Sequence, residues 1–518
     1  MRTAFTLAAA LTLAGALTPD QLRAADRILT TLYSFCSRAK CADGAQPVAA
    51  LLADANGNLF GTTSYGGASD VGTVFEIAKT PSGYVSAPAI LVSFDGDDGA
   101  YPGAGLIADA KGSLFGTTIA GGMKGGYGTV FEIAKTAGGY SGIPITLVSF
   151  HGADGWAPEA ALLADANGNL FGTTYLGGFG FTLSASNPVY STVFEGAKIR
   201  TAKAGGFGFH PFASDSGSGT VFEIVKTAGG YSPAPAPVVR FNGADGGGPL
   251  AGLIADADGN LFGATSYGGP SHGGTVFADG TVFAIAKTAH GYAASPTTLV
   301  SFTSSQYPLT GPVAGLITDA GGNLFGTTDE VGAHEAGTVF EIAKTARGYA
   351  STPTTLVSFN GADGSGPQAG LIADAIGNLF GTTIAGGASG YGTVFEVART
   401  ASGHASAPTT LVSFKGANGV YPRAALIADA SGHLFGTTEY GGVGPNCPLS
   451  IGCGTVFEVA GSGFIPPGDL AGTPGDANCI GKTVAGLAHK YGGFSHAGAA
   501  LGYSVPELHN EIVIYCGE

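Results

Sequence analysis

Hydrophobic and polar positions along this chain fall into short runs that recur in a fixed order. The runs read "GLIAD", "NLFGTT", "GTVFEIAK" and "TLVSF", separated by clusters such as "ANG", "YGG" and "NGADG". Runs of this length, rich in β-branched and aromatic residues and bounded by Gly, Asn and Asp, predict strands joined by tight turns. They do not alternate cleanly between apolar and polar, because Leu59 and Phe60 are adjacent, as are Val74 and Phe75. Strands of that kind are covered on both faces.

The leucine of each "LFG" measures the period. It falls at Leu59, Leu114, Leu170, Leu261, Leu324, Leu379 and Leu434, giving intervals of 55, 56, 91, 63, 55 and 55 residues. Seven four-stranded sheets, each covered by its neighbours, predict an all-β fold, a seven-bladed β-propeller over residues 29–460. A right-handed β-helix would also stack sheets, but its coils are shorter and do not close. The ends of the array support closure. "TTLYSF", Thr30–Phe35, is a fourth-strand run that precedes any "LFGTT", while the last unit stops at "GTVFEVA", Gly454–Ala460, without one. The N-terminal run is therefore expected to close the last blade.

The segments "DANGNLFGTT", "GTVFEIAKT" and "TLVSFNGADG" resemble the GloVer tandem repeat, found in exported bacterial choice-of-anchor proteins with varied C-terminal attachment regions. The likeness covers about Thr30–Ala460. It implies a secreted or surface-attached propeller-like array, and it brings no established activity and no catalytic residues.

A scaffold needs a residue in every unit, whereas chemistry needs it once. Asp54, Asp109, Asp165, Asp256, Asp319, Asp374 and Asp429 each precede a Gly by three positions, the spacing of a side chain that bonds into a hairpin turn. Gly61 and its equivalents suggest close approach of neighbouring backbones. Glu76, Glu132, Glu223, Glu341, Glu396 and Glu458 recur in "TVFE", but Ala284 stands in the remaining unit, so cross-strand pairing is expected rather than a carboxylate ring. The loops at Asp95, Asn242 and Asn360 offer calcium-type oxygens without the spacing of an EF-hand. Turns are the expectation there and calcium the alternative; no cofactor is expected. HExxH does not occur, and the GxSxG match Gly269–Gly273 falls in a Gly-rich loop after an "LFGAT" run and not on the strand-to-helix elbow of a serine esterase.

Spacing separates frame from variation. From the Thr of "TVF" to the first residue of "LVSF" the distance is 18 in six units, as from Thr73 to Leu91. From the Leu of "LFG" to the Thr of "GTVF" it is 14, 15, 50, 20, 14, 14 and 21. In a propeller that variable loop opens on the same face as the connection between blades, and variable loops on a rigid frame carry function. The largest insertion, about residues 175–218, holds Tyr175, Phe207, Phe209 and His210, and the single tryptophan, Trp156, lies in the loop entering the same blade. These five are the candidate ligand-binding residues, since aromatic planes beside polar loops suit sugars or extended polymers. The alternative is that they bury the insertion's own core.

Composition narrows the partner. Only 11% of the 518 residues are charged and the balance is −15, which excludes a phosphate backbone as partner. Arg2 followed by the apolar stretch Ala4–Leu17 reads as a signal peptide over residues 1–25. No other run is long enough to span a bilayer. Export favours disulfides, expected as Cys36 with Cys41, Cys447 with Cys453 and Cys479 with Cys516. Residues 461–478 read as a Pro/Gly linker and 479–518 as a small helical module stapled by the last pair. The function expected is a secreted, extracellular or cell-surface protein, with the periplasm as alternative, that binds a glycan or protein through its variable-loop face or acts as a scaffold. A polysaccharide lyase or hydrolase on the same face is the second reading, and a structural surface-layer component the third.

Overall fold

The computed structural model describes residues 27–123, 126–178, 217–270, 280–302, 311–467, 469–470, 479–491, 493–501, 503 and 505–516. The expected signal peptide lies outside the described residues, as do Phe207, Phe209, His210 and residues 471–478 of the expected linker. The repeats form seven four-stranded antiparallel sheets. In the first blade the strands run Leu52–Ala53, Leu59–Thr63, Thr73–Ile77 and Ala89–Ser93 from the axis outward. In the seventh they are Ile427–Ala428, Leu434–Thr438, Thr455–Ala460 and the N-terminal Ile28–Ser34, which pairs from Ile28↔Ala460 to Ser34↔Thr455. The closure expected from the sequence is thus present.

Burial explains the missing alternation. Every residue of the "LFGTT" strand is buried in all seven blades, including blade four, where it reads "LFGAT". The Asp turns are as expected, with Asp54 Oδ1 accepting from the N–H groups of Asn56 and Asn58 at 2.9 and 2.8 Å. Gly61 has a different reason from the one expected. A Cβ there would lie 2.5 Å from Cζ of Phe75 on the paired strand, so a ring, not a backbone, occupies its space.

Three contacts join each blade to the next. The Phe ending one blade's outer strand packs on the Phe of the next blade's third strand, as in Phe94–Phe131, Phe359–Phe395 and Phe35–Phe75, with centroids about 5 Å apart. A buried Thr hydroxyl donates to the next blade's carbonyl: Thr62 to Ala104, Thr117 to Ala160, Thr173 to Ala251, Thr327 to Ala369, Thr382 to Ala424 and Thr437 to Ala49, at 3.0–3.3 Å. Blade four has Ala264 at this position and makes no such bond to blade five.

The third contact comes from the connection of fixed length, which contains a small two-stranded ribbon such as Lys79–Thr80 with Gly83–Tyr84. Its tyrosine reaches back, edge-on, to the "LFG" phenylalanine of the preceding blade: Tyr140 to Phe60, Tyr231 to Phe115, Tyr292 to Phe171, Tyr349 to Phe262 and Tyr84 to Phe435, with His404 serving Phe325. Phe380 has no such partner available, because the seventh blade takes its outer strand from the N-terminus and so lacks the connection that makes a ribbon. Phe464 fills the place, 5.2 Å from Phe380. The segment read as a linker is therefore packed over 462–466, and Ser462 Oγ donates to the carbonyl of Gly432 at 2.7 Å.

Beyond it, α1 (Cys479–Tyr491), α2 (Phe494–Leu501) and α3 (Val505–Cys516) form a small module. Ile376, at a hairpin tip of blade six, is buried in its core with Leu487, Leu501, Leu508 and Ile512. Equivalent tips carry Asn56, Lys111, Asn167, Asp258, Gly321 and Ser431. One apolar tip therefore marks the docking point. The three expected disulfides are formed. The first two lie side by side at the closing blade, where Asn446 N–H donates to the carbonyl of Cys36 at 3.1 Å.

Two outcomes follow from these contacts. Ala264→Thr supplies the missing hydroxyl and should stabilise the protein by about 1 kcal/mol, read as a raised melting temperature. Phe464→Ala leaves Phe380 uncovered and should cost about 3 kcal/mol or more, with proteolysis of residues 461–516 accelerated; an unchanged melt would show that the seventh position needs no aromatic.

Candidate ligand-binding site at the axial mouth

In six blades an antiparallel bridge joins the loop entering the blade to the loop after its second strand: Ala45↔Tyr65, Ala100↔Ala120, Trp156↔Leu176, Gly247↔Tyr267, Ser365↔Ala385 and Val420↔Tyr440. The two loop sets therefore share one face. Trp156 and Tyr175 meet there in a rim cluster with Ala157, Leu176, Tyr267 and Ile119. Tyr175 is buried and edge-on to Tyr267, so its part is packing. The Trp156 ring is partly exposed and edge-on to Tyr127 at 5.3 Å.

A tighter constellation lies at the axis. A proline precedes the innermost strand of each blade, and the residues that follow it are Val48, Gly103, Glu159, Leu250, Val313, Gln368 and Arg423. Neighbouring members stand close together: a Cβ added to Gly103 would lie 4.0 Å from Val48 Cγ2, and Arg423 Nη1 donates to Gln368 Oε1. A second ring, one residue past "LFGTT", reads Ser64, Ile119, Tyr175, Ser266, Asp329, Ile384 and Glu439. The polar members of the two rings are connected on one side. Gln368 Nε2 donates to Asp329 Oδ2 at 2.8 Å, and Arg423 Nε donates to the buried Glu439 Oε2. Below, the channel is lined by Ala50, Gly105, Ala161, Gly252, Gly315, Gly370 and Ala425, all partly exposed.

Glu159 belongs to blade three, three blades from Gln368 in one direction and three from Arg423 in the other, which places it across the axis from that network. It is partly exposed through the mouth, and no described residue bonds its carboxyl. Burial pushes that carboxyl up to about 7. Burial also raises Asp329, against the opposing effects of the Gln368 hydrogen bond and the Arg423 charge. Tyr65, desolvated beside Tyr101 and Glu439, is pushed up to about 12 and stays protonated as a hydrogen-bond donor. Arg423 is held in place by two acceptors, while its Nη2 has no partner among the described residues. The mouth thus presents one oriented donor, a carboxylate and a carboxyl that titrates near neutrality.

These axial residues were missed in the sequence although their signal is there. Position by position, Glu159, Gln368 and Arg423 stand where other blades have Val, Gly or Leu, and Asp329 and Glu439 stand where others have Ser, Ile or Tyr. Unrepeated loop length drew attention to the rim; unrepeated side-chain type marks the axis. The "TVFE" glutamates lie on third strands, away from the axis, where Glu76 stands opposite Phe60 and Ala89.

Among solved structures, the fold is similar to that of a proposed 6-phosphogluconolactonase from Bacteroides uniformis, at 13% identity over 73% of this chain and 88% of that one, with a TM-score of 0.44. It is also similar to a PQQ-bound aldose sugar dehydrogenase from Streptomyces coelicolor, at 12% identity over 68% and 92%, with a TM-score of 0.39. A protein of unknown function from Dyadobacter fermentans matches at 9% identity over 83% and 98%, with a TM-score of 0.40. These likenesses concern the fold alone. No curated protein matches the chain. A family model described as the Gloeobacter/Verrucomicrobia repeat matches residues 18–184 and 278–499.

The raised Glu159 carboxyl has a measurable sign. The native state holds its proton at pH values where the unfolded chain has lost it, so stability declines as pH rises from the usual glutamate range through about 7. Glu159→Gln should remove that slope. The variant should gain on the wild type between pH 5 and pH 8, by up to about 3 kcal/mol, in paired thermal melts.

Proposed function

The chain belongs to the Gloeobacter/Verrucomicrobia repeat family, and from that premise we propose that it is an exported binding protein that holds an extracellular glycan or protein on its variable-loop face. One observation carries the reading. The repeated side chains described above form the blades' turns or pack the blades together, whereas unrepeated polar groups from blades three, five, six and seven lie around one axial mouth. The partly exposed Trp156 and the described, bridged ends of the variable loops lie on the same face as that mouth. The uncharged apolar stretch Ala4–Leu17 that follows Arg2, together with the three disulfides, supports export. The C-terminal module is assigned a stabilising role on blades six and seven, since its core encloses Ile376.

A second reading, an enzyme acting on extracellular polysaccharide, draws on one feature. A carboxyl titrating near 7 across from a carboxylate is the arrangement that general acid–base catalysis uses. Release of reducing ends or unsaturated products would select it over binding alone.

The test uses residues 26–518 on an array of extracellular polysaccharides and proteins. Retention of at least one class is expected, and retention of none would overturn the proposal. Trp156→Ala should then weaken binding about tenfold, the effect of losing a stacked ring worth about 1–3 kcal/mol, with the melting temperature nearly unchanged. Unaltered affinity with a lowered melting temperature would leave Trp156 as packing.

A further inference from the structure

We infer that the axial mouth is a subsite for one neutral, polyhydroxylated sugar ring, gripped between the Asp329–Gln368–Arg423 network and Glu159. The inference rests on the binding reading and names the chemistry that reading leaves open. Three features carry it.

The first is the balance of donors and acceptors. Arg423 is fixed by Glu439 and Gln368, which leaves Nη2 to donate; Asp329 uses Oδ2 on Gln368, which leaves Oδ1 to accept. A hydroxyl both donates and accepts, so adjacent hydroxyls of one ring can satisfy an oriented guanidinium and a neighbouring carboxylate together. Across the axis Glu159 has both oxygens free of protein partners among the described residues and titrates near neutrality, so it too can either donate or accept.

The second is charge. An anionic ring would satisfy Arg423 but would face Asp329, Glu439 and Glu159. A cationic one would be set against the guanidinium that anchors the network. A neutral polyol meets neither penalty. A single metal ion fits less well, because among the described residues no three carboxylate or imidazole groups lie close enough together at the mouth to share one.

The third is the wall. Tyr65 and Tyr101 pack with centroids 5.2 Å apart and Tyr421 and Tyr440 at 6.0 Å, giving aromatic surface beside the polar groups. Val48, Leu250 and Val313 complete the upper ring, and the equivalent positions below it are Gly or Ala in all seven blades.

The test is titration calorimetry of residues 26–518 with glucose, galactose, mannose, xylose, glucuronate and glucosamine, each as monosaccharide and short oligomer, at pH 6 and pH 8. At least one neutral sugar should bind more tightly than both charged ones. Glu159→Leu installs the residue that blade four carries at the same ring position, so the frame tolerates it, and affinity for that sugar should fall at least tenfold. Removing the arginine alone would leave Glu439 buried without its partner, so the second variant is the charge-balanced Arg423→Met with Glu439→Gln, which should lose binding to a similar extent. If polymers from the array still bind while both variants keep full affinity for the sugar, the subsite falls and the binding reading stands. Tighter binding of glucosamine or glucuronate than of any neutral sugar would also overturn the subsite. If neither polymers nor sugars bind the wild type, both fall together.

Discussion

The structure depends on contact between blades. A four-stranded sheet with "LFGTT" at its centre is apolar on both faces and has no stable existence alone, so each blade needs a neighbour on either side. The Phe–Phe contact from the end of one outer strand to the next blade's third strand is made around the whole ring, and its geometry hardly varies, with centroids from 4.9 to 5.2 Å. Repetition of that contact fixes the angle between blades. The position of every axial side chain follows from that angle, because the axial positions lie four residues ahead of the innermost strands or directly after the second strands.

Much of this frame could be read from the sequence because each constraint on it is local and occurs many times. Seven "LFG" leucines give the blade count, and the displaced "TTLYSF" gives the closure. The Asp turns follow from a spacing of three residues. What could not be read was the cause of some repeated features. Gly61 looked like a site of backbone approach, yet the Phe75 ring lies over it, since pairing register and not sequence distance decides what faces a residue. The six ribbons were visible only as a constant length, because two-residue strands have too little pattern to show.

The axis was harder to read for a related reason. Glu159, Asp329, Gln368, Arg423 and Glu439 are spread over 281 residues of sequence (439 − 159 = 280 steps) and no two form a motif. Only alignment of the blades on one another brings them into register. The loops of variable length were conspicuous by comparison, and they led to Trp156 and Tyr175 on the rim. Tyr175 turned out to be enclosed, because the loop that carries it folds inward against Tyr267.

The substitution of Phe464 for the absent seventh ribbon bears on the order in which the molecule is completed. Ile28 is synthesised 432 residues before its partner Ala460, so the strand that finishes the ring waits for the rest of the repeat array before it finds its place. Blade seven cannot be sealed on its outer edge until then, and the aromatic that seals its other flank emerges four residues afterwards. Both ends of the repeat array thus meet at one seam, and closure of the ring is confined to a single blade. A chain cut short of Phe464 has every blade strand and one joint still open, with the Phe380 ring left uncovered.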